Sequence, residues 1–276
     1  MNQVRKRAPR YAAGRARTLG LPTRGTTNPN RLRKVDRWIA GTALTADALR
    51  AAPDPLVIDL GYGSSPITAV ELADRLGGLR PDLRVLGLEI DQERVDAAKP
   101  AERPGLEFRR GGFELAGRRP ALVRAFNVLR QYEEAAAAEA WATMQSRLAP
   151  GGLLVEGTCD EIGRRCCWVT LDAQRPLTFT LACLPSDLEQ PSDLAERLPK
   201  SLIHHNVPGE RVHALLAELD ACWATAAPFA PYGPRARWVE AVRLLAERDW
   251  PVLDRRNRWR LGEVTLNADA VYGPNP

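Results

Sequence analysis

The sequence predicts an α/β protein on a doubly wound, mostly parallel sheet, with a basic N-terminal arm and a mainly helical C-terminal cap. Three observations predict it. Short apolar runs alternate strictly with helical stretches between residues 56 and 157, the signature of successive strand–helix crossovers. The first run ends in a glycine turn that opens a helix. The alternation then breaks, and the last third reads as helices with one closing strand. The organisation expected is therefore an arm over 1–37, a core over 38–185 and an extension over 186–276.

Asn28-Pro29-Asn30 offers a turn and a cap before a helix over 31–40. Leu56–Leu60 is the first strand, a buried apolar run. Ser65-Pro66 starts a helix that Gly77-Gly78 ends. A second strand follows over 83–90, a short helix over 92–98, a third strand over 106–109 and a fourth over 121–128. The Ala-rich stretch 133–148 is a helix stopped by Pro150-Gly151-Gly152, and 153–157 is the fifth strand. Crossovers between parallel strands are right-handed, so the strand C-termini share one edge. Residues 168–171 and 177–184 read as two strands joined by a short turn. Helices are expected over 192–198, 209–226 and 235–248, the second carrying Val212, Leu215, Leu219 and Trp223 at helical spacing. Alternation of Val264, Leu266, Ala268 and Ala270 makes 261–271 the last strand.

Charge is unevenly placed. The net charge is +5, but residues 1–37 carry eleven Lys and Arg against a single acid, Asp36, leaving −5 on the remainder. Clustered arginine is the footprint of a phosphate backbone. The arm has one aromatic, Tyr11, and so no stacking platform. Only four of the 39 basic residues are Lys, a bias that points to a GC-rich bacterial genome as much as to a ligand. The composition of 24–33 suggests a segment that folds back as a lid. The longest uncharged stretch, 221–234, is 14 residues with three prolines, too short and too broken for a membrane helix. No apolar segment follows the N-terminal charges as a secretory signal requires, so a cytoplasmic protein is expected. The five cysteines lack C-x-x-C spacing and read as buried thiols; no metal site is expected.

The informative segment is Asp59-Leu60-Gly61-Tyr62-Gly63, followed by Ser65-Pro66. Glycines let a ligand approach the backbone, and the helix start offers free N–H groups. A dinucleotide site wants a third glycine where Pro66 stands, which opposes a nicotinamide oxidoreductase. Glu89 ends the second strand beside this turn, where a carboxylate can accept from a ribose diol; Asp91 suits a helix cap.

These residues carry a resemblance. Val57–Gly63 resembles the first motif of class I, Rossmann-like S-adenosylmethionine-dependent methyltransferases, and Val85–Asp91 resembles the second. Leu148–Val155 is similar to the family's entry into the fifth strand. The resemblance covers about residues 50–185 and implies a seven-stranded-type sheet and S-adenosylmethionine as cofactor. It places Asp59, Gly61 and Gly63 around the methionine part, Glu89 on the ribose, Gly112 and Phe113 at the adenine, and Asn127 toward the methionine part or the acceptor. The family's frequent acid at position 112 is absent, as is the Asn-Pro-Pro-Tyr motif of its amino-N methylases.

Methyl transfer needs alignment and a shielded site, with a base only for a protonated nucleophile. Candidates for that base are Asp160 and Glu161 after the fifth strand, and His204 or His205. Arg130 and Tyr132 are candidate substrate contacts. The acceptor is expected to be a small molecule, with RNA through the arm as the second option. The alternative from another class is a non-catalytic module that keeps a nucleotide fold to bind nucleic acid or a protein partner.

Overall fold

The computed structural model describes residues 27–273. Its centre is one eight-stranded sheet in the order β3-β2-β1-β4-β5-β6-β7-β8. The strands are β1 (Leu56–Leu60), β2 (Arg84–Glu89), β3 (Leu106–Arg110), β4 (Leu122–Phe126), β5 (Leu153–Cys159), β6 (Arg165–Leu171), β7 (Pro176–Cys183) and β8 (Glu263–Asn267). The first five pair in parallel. The last three pair antiparallel. The seven-stranded expectation is corrected here: β8 joins the edge beside β7 as an eighth strand. The direction of β6 and β7 follows from their connections. A parallel return needs a crossover of a dozen or more residues, whereas β5, β6 and β7 are joined by short turns that can only make hairpins. Leu261–Val271 is not one strand either. β8 stops at Asn267, whose side chain accepts from the Asp269 amide as the chain turns into a short helix.

Helices cover both faces, as a sheet with buried apolar residues on each side requires. One face carries Val57, Val85, Leu122, Val155 and Trp168. It is covered by α1 (Arg33–Gly41), α2 (Ala43–Ala51) and α3 (Ile67–Leu76). The helix α4 (Gln92–Ala98) follows β2, and Asp91 caps it by accepting from the Glu93 amide at 2.9 Å. The opposite face carries Ile58, Val123, Leu154, Val169 and Phe179. It is covered by α5 (Glu134–Arg147), α6 (Lys200–Ile203), α7 (Arg211–Thr225), α8 (Pro234–Glu247) and α10 (Asp269–Tyr272), with α9 (Arg256–Trp259) just before β8.

Two segments differ from the sequence expectation in kind. Residues 43–51 form a helix that the sequence does not predict; only Thr45, Ala46 and Leu49 are buried, too narrow a stripe for a periodic signal. Residues 191–197 form a 3-10 stretch rather than an α-helix. The arm's first 26 residues lie outside the described residues, while 27–37 pack on the body: Leu32, Val35 and Asp36 are buried. Residues 263–267 complete the same sheet as the core strands. Among the described residues no helix is long and apolar enough to cross a membrane, and no group of three His, Cys, Asp or Glu is placed to hold a metal.

Candidate functional site

Strand order reverses between β1 and β4, and open α/β sheets leave a crevice at such a point, outside the strand C-termini. A concave cavity of about 400 Å³ lies there. It is floored by the turn after β1 and walled by the ends of β2 and β4, the loop after β3, and the segment 27–32.

The turn takes its shape from two glycines. Gly61 and Gly63 have φ of 72° and 83°, values that favour glycine. Both are also packed too closely for a side chain. A Cβ on Gly61 would lie 2.6 Å from a Val128 methyl, and one on Gly63 would lie 2.8 Å from Thr27 Oγ1. Glu89 ties β2 to this turn: Oε2 accepts from the Gly63 amide at 3.0 Å and Oε1 from the Ile90 amide at 2.9 Å. Arg94 stands 3.6 Å from Oε2. The carboxylate is thus fixed at the cavity wall with lone pairs to spare. Behind the turn, Tyr62 packs edge-on against Phe108 at 5.2 Å over Gly87. Burial and the nearby Glu89 and Asp59 carboxylates push its phenol upward, so it stays protonated.

Asp59 points toward α1 and α3 and is 2% exposed. Its oxygens accept from Arg124 Nε at 2.9 Å and Thr68 Oγ1 at 3.3 Å, and Oδ2 lies 2.7 Å from an Arg124 terminal nitrogen. Arg124 is fully buried and also pairs with buried Asp36. Burial alone would lower this guanidinium, but the two carboxylates override it and hold it charged.

Asn127, at φ 59°, turns the chain out of β4. Its Oδ1 accepts from the Cys159 amide at 3.0 Å and its Nδ2 lies 3.4 Å from Cys159 Sγ, so the side chain clamps β4 to β5 while lining the cavity. All five cysteines are buried. A hydrogen bond from Cys166, directly across the strand pair, helps hold the Cys159 thiol below its ordinary value. After β3, Gly112 and Phe113 line the cavity, with Phe113 edge-on to Tyr132 at 5.4 Å. The Gly112 amide donates to Glu114 Oε1 at 2.8 Å.

Asp59, Gly61, Gly63, Glu89, Gly112, Phe113, Asn127 and Tyr132 therefore meet in one cavity. Arg130 does not line it. It lies half-buried beside Arg197 and Glu196, and burial and the Arg197 charge lower it. The candidate bases also lie elsewhere. Asp160 Oδ1 accepts from the Ile162 and Arg164 amides and closes the β5–β6 turn, and Glu161 is exposed on that turn. His204 is exposed beside Lys200, and His205 is exposed between Glu134 and Glu210. A residue just after a strand end can fall into its own turn instead of the cavity, and sequence does not distinguish the two.

Thr27 and Arg31 belong to the stretch 24–33 read from the sequence as a lid, whereas other wall residues, Arg94, Glu114 and Gln131 among them, carry no role in the sequence reading. Thr27 Oγ1 donates to the Tyr62 carbonyl at 2.9 Å, and the Asn30 amide reaches Glu71 at 2.8 Å. Arg31 Nε donates to the Asp160 carbonyl at 2.9 Å, and Asn28 Nδ2 to the Glu161 carbonyl at 2.9 Å. Segment 27–32 is thus a strap from the glycine turn to the β5–β6 turn. Its only sequence signal is the composition of 24–33.

No family model and no curated protein sequence matches the chain. Among solved structures, a pericyclic reaction enzyme is similar over 49% of this chain and 33% of its own, at 16% identity and a TM-score of 0.37. Magnesium protoporphyrin IX methyltransferase from Synechocystis, solved with S-adenosylhomocysteine, is similar over 53% of this chain and 67% of its own, at 18% identity and 0.36. The CcbJ methyltransferase from Streptomyces caelestis is similar over 52% of this chain and 71% of its own, at 21% identity and 0.33. The chain spans about a third of the length of the pericyclic enzyme.

Proposed function

We propose that this chain is a methyltransferase using S-adenosylmethionine. One observation carries the reading: a carboxylate at the end of β2, Glu89, is hydrogen-bonded to the glycine turn after β1 at the reversal of strand order. That arrangement suits a ribose diol over Glu89, with the amino-acid end of the ligand over Gly61 and Gly63 above Asp59. Phe113 and Tyr132 offer an apolar wall for the adenine. The Gly112 amide is taken by Glu114, so adenine specificity rests on the remaining backbone and on Glu114 itself.

The cofactor would supply an already activated methyl group. The chain's part is alignment and exclusion of water, which the strap and the Asn127 clamp serve, both fastened at Cys159. Asp160, Glu161, His204 and His205 lie away from the cavity, so the reading assigns them no base. The acceptor is taken to be a small molecule entering beside Tyr132, and with Arg130 outside the cavity the reading gives that arginine no contact to it; the concave cavity favours this over RNA.

S-adenosylhomocysteine should raise the melting temperature of the full chain. At a hundredfold excess over Kd the gain is about 2.7 kcal/mol. Glu89→Ala should remove the shift while leaving the unliganded protein folded. No shift at millimolar ligand, or a shift with NADH in its place, overturns the proposal.

A further inference from the structure

We infer that Asp36 and Arg124 are positioning residues for the glycine turn, and that Asp59 acts through them rather than as a free carboxylate facing a ligand. The inference rests on the methyltransferase reading only for the identity of the ligand.

Arg124 sits at the centre of four elements. On β4, next to β1, it grips Asp59 through Nε at 2.9 Å. One terminal nitrogen donates to the Thr68 carbonyl at 2.9 Å. Thr68 Oγ1 in turn reaches Asp59 Oδ2 at 3.3 Å. Asp59 immediately precedes the turn and Thr68 is the second residue of α3, which follows it. One guanidinium therefore holds both ends of the ligand-facing backbone. The planar, five-donor arginine head can do this where a lysine could not.

The other terminal nitrogen of Arg124 pairs with Asp36 of α1. Asp36 Oδ2 then takes Arg75 of α3 at 2.5 Å, and Arg75 reaches Glu71 at 3.1 Å and Asn30 Oδ1 at 2.8 Å. The result is a line of alternating charges from beneath the turn to the strap: Asp59, Arg124, Asp36, Arg75, Glu71. Asp36 and Arg124 are 0% exposed and Asp59 2%. Buried charges at such spacing keep their geometry because no water competes and each loss leaves a partner uncompensated. With the carboxylate already committed to Arg124 and Thr68, Asp59 fixes where the turn lies and leaves ligand contact to the backbone. The segment 27–41, outside the stretch that carries the family resemblance, is then part of the site.

The test uses the full chain with Asp36→Asn and Asp36→Ala. S-adenosylhomocysteine affinity is measured by calorimetry well below each variant's melting temperature. Amide hydrogen exchange at residues 60–64 is measured without ligand. The expected result is at least tenfold weaker binding and an increase in exchange at the turn larger than any in β5. If Asp36→Ala does not fold, Asp36→Asn, which keeps the volume and one acceptor, decides. Asp74→Asn, which breaks the exposed pair with Arg103, is the control and should leave affinity unchanged. Variants that melt lower but bind with native affinity and show native exchange at the turn overturn the inference and leave Asp36 a stabilising residue only. If the unaltered protein does not bind S-adenosylhomocysteine, the methyltransferase reading fails; the exchange measurement still decides the role of Asp36.

Discussion

Glu156 shows what a single side chain can cost. It projects from β5 toward α5 and is 1% exposed; neither oxygen has a partner in good hydrogen-bond geometry, and the Trp141 indole of α5 only partly offsets the effect of burial. Burial pushes its carboxyl up to about 8 from an ordinary value of 4.5. Below pH 4.5 the group is neutral in both folded and unfolded chains and contributes nothing. As pH rises toward 8 the unfolded chain ionises and the folded one does not, so stability is lost across that window and the loss levels off above it. Glu156→Gln should remove this dependence, with an advantage over the native chain growing to the order of 4 kcal/mol by pH 9. Urea unfolding at pH 5, 7 and 9 checks this; parallel stability curves for the two proteins would refute it. The carboxylate in β5 is plain in the sequence, but its orphaned state is not. That depends on which covering helix offers a donor, a question of tertiary packing. The same limit separates Glu89 from Asp160. Both follow apolar runs, yet Glu89 bonds a neighbouring strand's turn and reaches the cavity, while Asp160 bonds its own turn.

At the scale of elements, the parallel half of the sheet was legible because β1, β2, β4 and β5 are compact, mainly apolar runs, while the edge strand β3, with only Leu106 and Phe108 buried, is marked by Pro104-Gly105 before it and Gly111 after it. The antiparallel half was legible as strands, and the short turns 160–164 and 172–175 make hairpins of the first two; the seven-stranded type that the resemblance implied leaves out β8, whose place beside β7 depends on a pairing across about eighty residues. The strap was legible as the stretch 24–33 read as a lid, but its seat was not, because its partners lie 35 to 133 residues away. Its seat can be tested at Gly163. That glycine has φ 71°, and a Cβ there would lie 2.1 Å from the Arg31 carbonyl. The contact is with backbone, so the strap must move if a side chain is added. Gly163→Ala should cost about 1–3 kcal/mol and weaken S-adenosylhomocysteine binding. Calorimetry reads both; native affinity would show that the strap is no part of the site.

At the scale of the molecule, the opening charge of +5 divides into a basic arm and an acidic body, and the last residues of the arm belong structurally to the body. Trp38 explains why. It is 1% exposed, packs edge-on against Trp168 at 5.6 Å, and its Nε1 donates to Thr265 Oγ1 at 3.1 Å. Lys34 Nζ also reaches the Leu261 carbonyl at 2.8 Å. Helix α1 is therefore docked between the middle and the last strand of the sheet. Trp38→Ala should destabilise the whole chain by about 3–5 kcal/mol in a single cooperative transition. A melt in which the strap region opens separately would argue against that coupling.

The contact between Trp38 and Thr265 also fixes an order of events in synthesis. Strands β1 to β5 can pair as soon as they leave the ribosome, but α1 has no complete seat until β8 has been made. The strap's own partners, Tyr62, Glu71, Asp160 and Glu161, all precede β6, so what waits for β8 is the last fastening of α1. More than two hundred residues separate α1 from that last partner, whereas the residues that line the cavity all lie between 27 and 143, so the ligand site draws on the earlier part of the chain and the final anchor of α1 on the later.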